Sequence, residues 1–429
     1  MKILEYGNGY PNDWSVVPLS DVVLYHDSGI YKKANLYGEG ANIIGVSDLY
    51  STTAVSGQEF RRVPLSQEEL TENTLDEGDI LYGESSLVRE GIAKSVYVQQ
   101  SGEGTAFAWH TRRFKVDQSR LYPPFAHYFL GGPKARKYLM AVATQTALTG
   151  ITTKDYFGVP TPLPPLSEQK KIAEVLSSAD EAIAATKAVI DQTKQVKKGL
   201  LQTLLTKGIG HTKFKQTELG EIPESWEILK LSDSGISVID GDRGKAYPKA
   251  ADFADEGYCL FLSAKNITKD GFKWVNNQFI GEECHRLLRK GALSREDIVL
   301  TTRGTVGNIG YYDPSVPYDV VRINSGMVIL RNNGNCLSTD FLYLLLNSPI
   351  VRQQIEHLAF GSAQPQLTVK VIKDFLLPVP PLTEQPDLAA LVQNCFETLA
   401  ANEESLAELE NLKAGLMADL LTGKKRVAI

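Results

Sequence analysis

The sequence is poor in the residues that usually carry chemistry. Its four cysteines (Cys259, Cys284, Cys336, Cys395) are scattered through 429 residues with no Cys-x-x-Cys spacing, which argues against a disulfide framework or a zinc ribbon. Cys284 and His285 are neighbours, but two adjacent residues cannot complete a four-ligand site. No His-Glu-x-x-His and no Gly-x-Ser-x-Gly occurs, so the common hydrolase arrangements have no anchor. The phosphate-binding loop GxxxxGK[ST] and the Rossmann glycine spacing are absent too. Gly241-Asp-Arg-Gly-Lys245 has the wrong spacing for a phosphate loop. Tyr122-Pro-Pro-Phe125 lacks the Asn of an amino-methylating tetrapeptide. Asp252 and Asp255 read as a solvated face. The chain is therefore expected to be non-catalytic, with no metal of its own.

Long apolar runs and a strong charge of one sign are missing as well. No stretch reaches membrane-spanning length, and MKILEYGNGY has no apolar signal-peptide core, so a cytoplasmic protein is expected. The net charge is −6. By segment it is −3 over residues 1–166, +1 over 167–206, 0 over 207–382 and −4 over 383–429. That balance does not suit a strong non-specific nucleic-acid binder; a DNA reader would need its cations gathered on one face, or a partner supplying phosphate contacts.

What is present is a long stretch that occurs twice. Leu163 to Thr206 opens with prolines, offers Ser167 as an N-cap and Glu168 as a first-turn acid, and ends before Gly208. Between them, Ile172, Leu176, Ile183, Ile190, Leu200 and Leu204 lie on a heptad seam softened by Thr193 and Lys197. Shifted by 216, Val379 to Thr422 repeats it with Leu388, Val392, Leu399, Leu406, Leu409, Leu416 and Leu420. The motif PPL[ST]EQ recurs at Pro164–Gln169 and Pro380–Gln385. Helices of about 40 residues would each run roughly 60 Å. One apolar stripe of that length needs a partner, and the obvious one is the other copy.

The repeat extends beyond the helices. Pro11-Asn-Asp-Trp14 and Leu19-Ser-Asp21 match Pro223-Glu-Ser-Trp226 and Leu231-Ser-Asp233; Gly78-Asp-Ile-Leu81 matches Glu296-Asp-Ile-Val299. Phe125–Leu130 matches Phe341–Leu346. The expected fold is thus two α/β (α+β) domains alternating with two long α-helices that pair as an antiparallel coiled coil, an internal pseudo-twofold repeat. The domains are read as 1–162 and 208–378, the helices as 163–207 and 379–429, with Thr206–Pro223 as a hinge. Strands are expected at Ser15–Leu24, Ile43–Val46, Asp79–Tyr82, Ala93–Val98 and Arg113–Val116. In the second half they are expected at Leu260–Leu262, Asp297–Thr302, Ile309–Tyr312 and Met327–Arg331.

Loops mixing cations, glycines and aromatics occur in both halves. The first has Tyr31-Lys32-Lys33, Arg89, and Trp109-His110-Thr111-Arg112-Arg113. The second has Arg243 and Lys245, Lys265, Arg303, and Arg322-Ile-Asn324. Arg and Lys suit guanine in the major groove, and Asn or Gln suits adenine.

With PLPPLSEQKKIAEVL, GLLQTLLTKGI, FKQTELGEIPESW and PVPPLTEQ in this order, the sequence resembles the specificity (S) subunit of type I restriction–modification systems over essentially its whole length. Asp297-Ile-Val, Thr302-Arg303-Gly304-Thr-Val-Gly307 and Gly361-Ser-Ala-Gln364 are similar to family motifs of the second domain, which adds Gln364 to the DNA-binding candidates. The matching first-half segments, Ser85–Gly91 and Thr144–Gly150, are looser. The resemblance implies that each domain reads half of a bipartite asymmetric DNA site. The helices would set the spacing and dock two methyltransferase (M) subunits, through which restriction (R) subunits join. S-adenosylmethionine, ATP and Mg²⁺ would belong to those partners. The competing reading is a coiled-coil protein scaffold that reads no DNA; a fused restriction–methylation enzyme would need motifs this chain lacks.

Overall fold

The structure, a computed structural model, describes residues 8–100, 104–145, 148–359 and 366–428. The chain forms two compact units: residues 1–188 with 404–429, and residues 189–403. Each unit combines one globular domain with half of each long helix.

In the first unit, five strands run in the order Val23–Ser28, Thr111–Val116, Ile80–Gly83, Ser95–Gln100, Ala54–Ser56. All neighbours are antiparallel except the last pair. In the second, four antiparallel strands run Ile236–Asp240, Met327–Asn332, Ile298–Thr301, Ile309–Tyr311. The first four positions of the two orders correspond, so the sequence repeat is also a repeat of topology. Strand Ser15–Pro18 closes onto Pro160–Leu163, and Glu227–Lys230 onto Leu376–Val379. Ile80–Gly83 and Ile298–Thr301 are buried at every residue, as central strands covered on both faces should be. Pro123–Gly131 with Pro133–Val142, and Thr339–Leu346 with Pro349–Ala359, form a helical pair in each unit.

Several local expectations change. Ser15–Leu24 is not one strand: Pro18 cannot donate to a ladder, the chain turns through a 3₁₀ segment at Leu19–Val22, and pairing resumes at Val23. Thr206–Pro223 is no bare hinge, because Phe214–Thr217 and Gly220–Pro223 form a hairpin. Ile236–Asp240 and Val321–Ile323 are strands that short, punctuated segments concealed.

The long helices span Leu166–Lys207 and Gln385–Leu420, and Gly208 ends the first with φ of +63°. Their pairing is antiparallel. In the first unit Lys187 meets Glu410 (2.8 Å) and Asp180 meets Lys413 (2.5 Å). In the second, Lys194 meets Glu403 (3.0 Å), and the Lys197 ammonium sits 3.6 Å from the centre of the Phe396 ring. Lys197 thus occupies a seam position by laying its stem over an aromatic face; burial pulls its pKa down. Ile172, Leu176, Ile183, Ile190, Leu204, Leu388, Val392 and Leu420 are buried. Leu200, Leu399, Leu406, Leu409 and Leu416 are half-buried. Near the ends the stripe widens to take in Leu201, Leu205 and Leu421, because there each helix packs on a globular core as well.

The recurring Glu-Gln explains why PPL[ST]EQ is repeated. Ser167 is not the N-cap, for the helix has already begun at Leu166, with the Pro165 carbonyl accepting from Glu168 and Gln169 N–H. Glu168 is buried, accepts from the Trp14 indole (3.1 Å) and pairs with Arg426. In the second unit Glu384 accepts from the Trp226 indole (2.9 Å) and meets His211 (2.9 Å). Gln169 accepts from Tyr122 N–H (2.8 Å) and donates to the Arg120 (2.8 Å) and Pro164 (2.9 Å) carbonyls. Gln385 does the same with Ser338 N–H and the Cys336 and Pro380 carbonyls. The motif is a lock between each helix and its own domain.

Candidate nucleic-acid interface

Each central sheet ends in a cluster of loops at one edge, built alike in both units. Glu84 N–H donates to the His110 carbonyl (3.0 Å) and Ile151 N–H to the Glu84 carbonyl (3.1 Å). Thr302 N–H donates to the Gly326 carbonyl (2.8 Å) and Leu367 N–H to the Thr302 carbonyl (3.1 Å). A third loop joins at Gly29 and Gly241. A Cβ on Gly29 would lie 2.4 Å from the Ala108 carbonyl oxygen, and one on Gly241 would lie 2.2 Å from that of Asn324. Only glycine permits this approach.

In the second unit, Asp242 organises the 241–245 loop. Its carboxylate accepts from Gly244 N–H (2.9 Å) and Arg289 N–H (2.7 Å), and these backbone bonds lower its pKa. The loop's own carboxylate therefore fills the place a phosphate would need. Arg243 is exposed and leans on Asp240 (3.0 Å). Lys245 and Lys265 are exposed and have no ion partner among the described residues. Arg303 is exposed beside Gln366; with the amide oxygen turned toward it, Gln366 accepts from Nε (3.2 Å) and Nη2 (2.9 Å). A carbonyl so placed fixes the guanidinium plane, which a bidentate base contact requires. Asn324 is half-buried, its oxygen accepting from Gly326 N–H (2.8 Å).

Several candidate cations serve the fold. Arg113 is buried, holding Asp27 and the Thr74 and Glu72 carbonyls. Arg322 is buried, donating to His285 Nδ1 (3.1 Å) and to the Lys290, His285 and Leu288 carbonyls. Every guanidinium nitrogen of both already donates within the fold and both side chains are buried, so the structure places them in the framework and not on a reading surface, which corrects their assignment as readers. Arg322 also accounts for the Cys284–His285 pair, since the imidazole faces a guanidinium. Arg112 is tied to Glu84 (2.6 Å) and Lys32 to Glu69 (2.7 Å). Arg89 is exposed and donates to the Met140 carbonyl (3.1 Å). Lys33 is exposed without an ion partner among the described residues. Gln364 lies outside the described residues. Gln366, overlooked in the sequence, is the second glutamine of Ala-Gln-Pro-Gln, and no spacing rule distinguishes the two. Asp242 was hidden for a similar reason: an acid in a basic loop does not read as its organiser.

Among the described residues no group of three or more His, Cys, Asp or Glu could hold a metal. Among the described residues no helix is long and apolar enough to cross a membrane.

Residues 11–195 and 223–411 match the type I restriction modification DNA specificity domain. The MjaVIII type I restriction enzyme specificity subunit of Methanocaldococcus jannaschii is 28% identical, with 98% of this chain and 95% of the relative covered. The EcoBI specificity subunit of Escherichia coli is 24% identical over 81% of this chain and 78% of its own. Two solved structures share the fold. A chain from a study of complex assembly and conformational transition in the type I R-M system has a TM-score of 0.59 at 17% identity, covering 97% of this chain and 99% of that one. The S subunit from M. genitalium has a TM-score of 0.58 at 16% identity, covering 96% of each.

Proposed function

The chain belongs to the type I restriction modification DNA specificity family, and from that premise we propose that it is the non-catalytic DNA-reading subunit of a restriction–modification complex. Each domain reads one half of a bipartite site through its loop edge. The paired helices fix the unspecified gap. Two methyltransferase subunits dock on the chain and bring restriction subunits with them. S-adenosylmethionine, ATP and Mg²⁺ are used by those partners, and the complex works in the cytoplasm. The near-zero charge of the second domain fits shared phosphate contact with the partners. A groove of about 1390 Å³ in the second unit, lined by Lys194, Lys198, Phe396 and Glu403 of the helices together with Trp274 and Arg352, offers a docking place.

The observation that carries this reading is the equivalence of the two loop edges on sheets of corresponding topology. Arg303 tests it. In the chain assembled with its methyltransferase subunits, Arg303→Ala is expected to degrade the word of one half-site, weakening the correct sequence about 10- to 100-fold. The other word and subunit assembly should be intact in a selection from random duplexes. Equal loss on every sequence would make Arg303 a phosphate or structural residue.

A further inference from the structure

The two loop edges differ in chemistry. In the second unit Arg243, Lys245, Lys265 and Arg303 are exposed. In the first, Lys32 and Arg112 are salt-bridged and Arg113 is buried. What the first edge adds to its exposed Lys33 and Arg89 is aromatic. Tyr31 is 63% exposed and Trp109 is 47% exposed. Their rings meet edge to face at 4.8 Å, and Trp109 stacks on His110 at 4.8 Å with planes 7° apart.

This pair is built, not incidental. Trp109 N–H donates to the Ile30 carbonyl (2.8 Å), and Ile30 N–H to the Phe107 carbonyl (3.0 Å), which pins the two loops together through the tight approach at Gly29. His110 holds φ of +68°, a conformation that costs a residue with a Cβ about 1 kcal/mol or more. The loops around the rings also carry exposed cations. Lys33 is two residues from Tyr31, and Arg61, whose guanidinium lies over the Tyr37 ring (5.3 Å) and donates to Ser47 Oγ (3.4 Å), is near Gly45, itself close to Ala108. Two fixed, partly exposed rings on loops that also carry cations are a reading surface for something apolar carried on a polyanion.

In the major groove the apolar group is the 5-methyl of thymine. Resting on the assignment of the chain as a DNA reader, we propose that Tyr31 and Trp109 form a thymine-methyl contact that specifies the first domain's half-site. The first domain then reads by apolar contact, and the second by N–H donors. Lys33 and Arg61 hold the flanking phosphates.

The test uses the full chain assembled with its methyltransferase subunits, on duplexes of its own site with each thymine replaced in turn by uracil. Uracil keeps every hydrogen-bonding edge and removes one methyl. One or two positions, all within one half-site, are expected to weaken binding about fourfold each, the worth of one buried methyl. Trp109→Ala should lower affinity about tenfold, abolish that uracil sensitivity and leave the other half-site unaffected. Trp109→Phe, which keeps an aromatic face, should retain both assembly and sensitivity. A half-site without thymine, no uracil effect in the unaltered chain, or a uracil profile unchanged by Trp109→Ala would each overturn the inference. Loss of subunit assembly in Trp109→Ala would overturn it too, marking the rings as a protein contact. An unaltered complex that selects no sequence at all would sink the DNA-reading assignment along with it.

Discussion

Four residues inserted into each long helix, after Ala188 and after Glu403, are expected to leave both recognised words unchanged and to lengthen the unread gap by about one to two base pairs. Four residues add about 6 Å of helix, and duplex DNA rises about 3.4 Å per base pair. They also turn the helix only about 40° beyond a full turn, so the apolar stripe stays near its face. Both helices must be extended together. Lys187–Glu410 and Lys194–Glu403 lie on either side of the insertion points, and extending one helix alone would put these antiparallel rows out of step. The single insertion is therefore expected to lose site-specific methylation, while the double one keeps it at the new spacing. A doubly extended chain that still methylates the original spacing would rule out the helices as the ruler.

Gln169→Leu is expected to destabilise the first unit by about 4 kcal/mol, read as a lower urea midpoint. The side chain is fully buried and serves three backbone groups, Tyr122 N–H and the Arg120 and Pro164 carbonyls. Leucine fills a similar volume but leaves all three without a partner, and each such buried group costs about 1–3 kcal/mol. Gln385→Leu should act equally on the second unit through Ser338, Cys336 and Pro380. Gln169→Glu, which keeps the acceptor and loses the donors, should fall between. A loss under about 1 kcal/mol for Gln169→Leu would mean that solvent reaches these groups and that the repeated motif is no lock.

The skeleton was legible because it rests on period and repetition. The heptad seam and the 216-residue shift required two long helices and two domains, and the recurring Trp and Glu-Gln positions proved to be one lock made twice. The division of the chain into units was harder to see, since Ile172 and Leu420, 248 positions apart, share one core only through the antiparallel pairing. The loop edges were partly legible. Composition pointed to Arg303, Lys245 and the Tyr31–Trp109 region, but it could not separate exposed Arg303 from buried Arg322, because a guanidinium suits a base edge and a set of carbonyls equally well. That choice depends on burial, and burial is set by strands such as Val321–Ile323 that are too short to show a pattern.

The most direct measurement of the central claim is methylome sequencing of cells that express this chain with its methyltransferase, set against cells that express the methyltransferase alone. The expected result is a new methylated motif of two fixed words separated by an unspecified gap, present only when both proteins are made. Identical methylomes, with the two proteins still co-purifying, would contradict it and leave a binding subunit that reads no DNA.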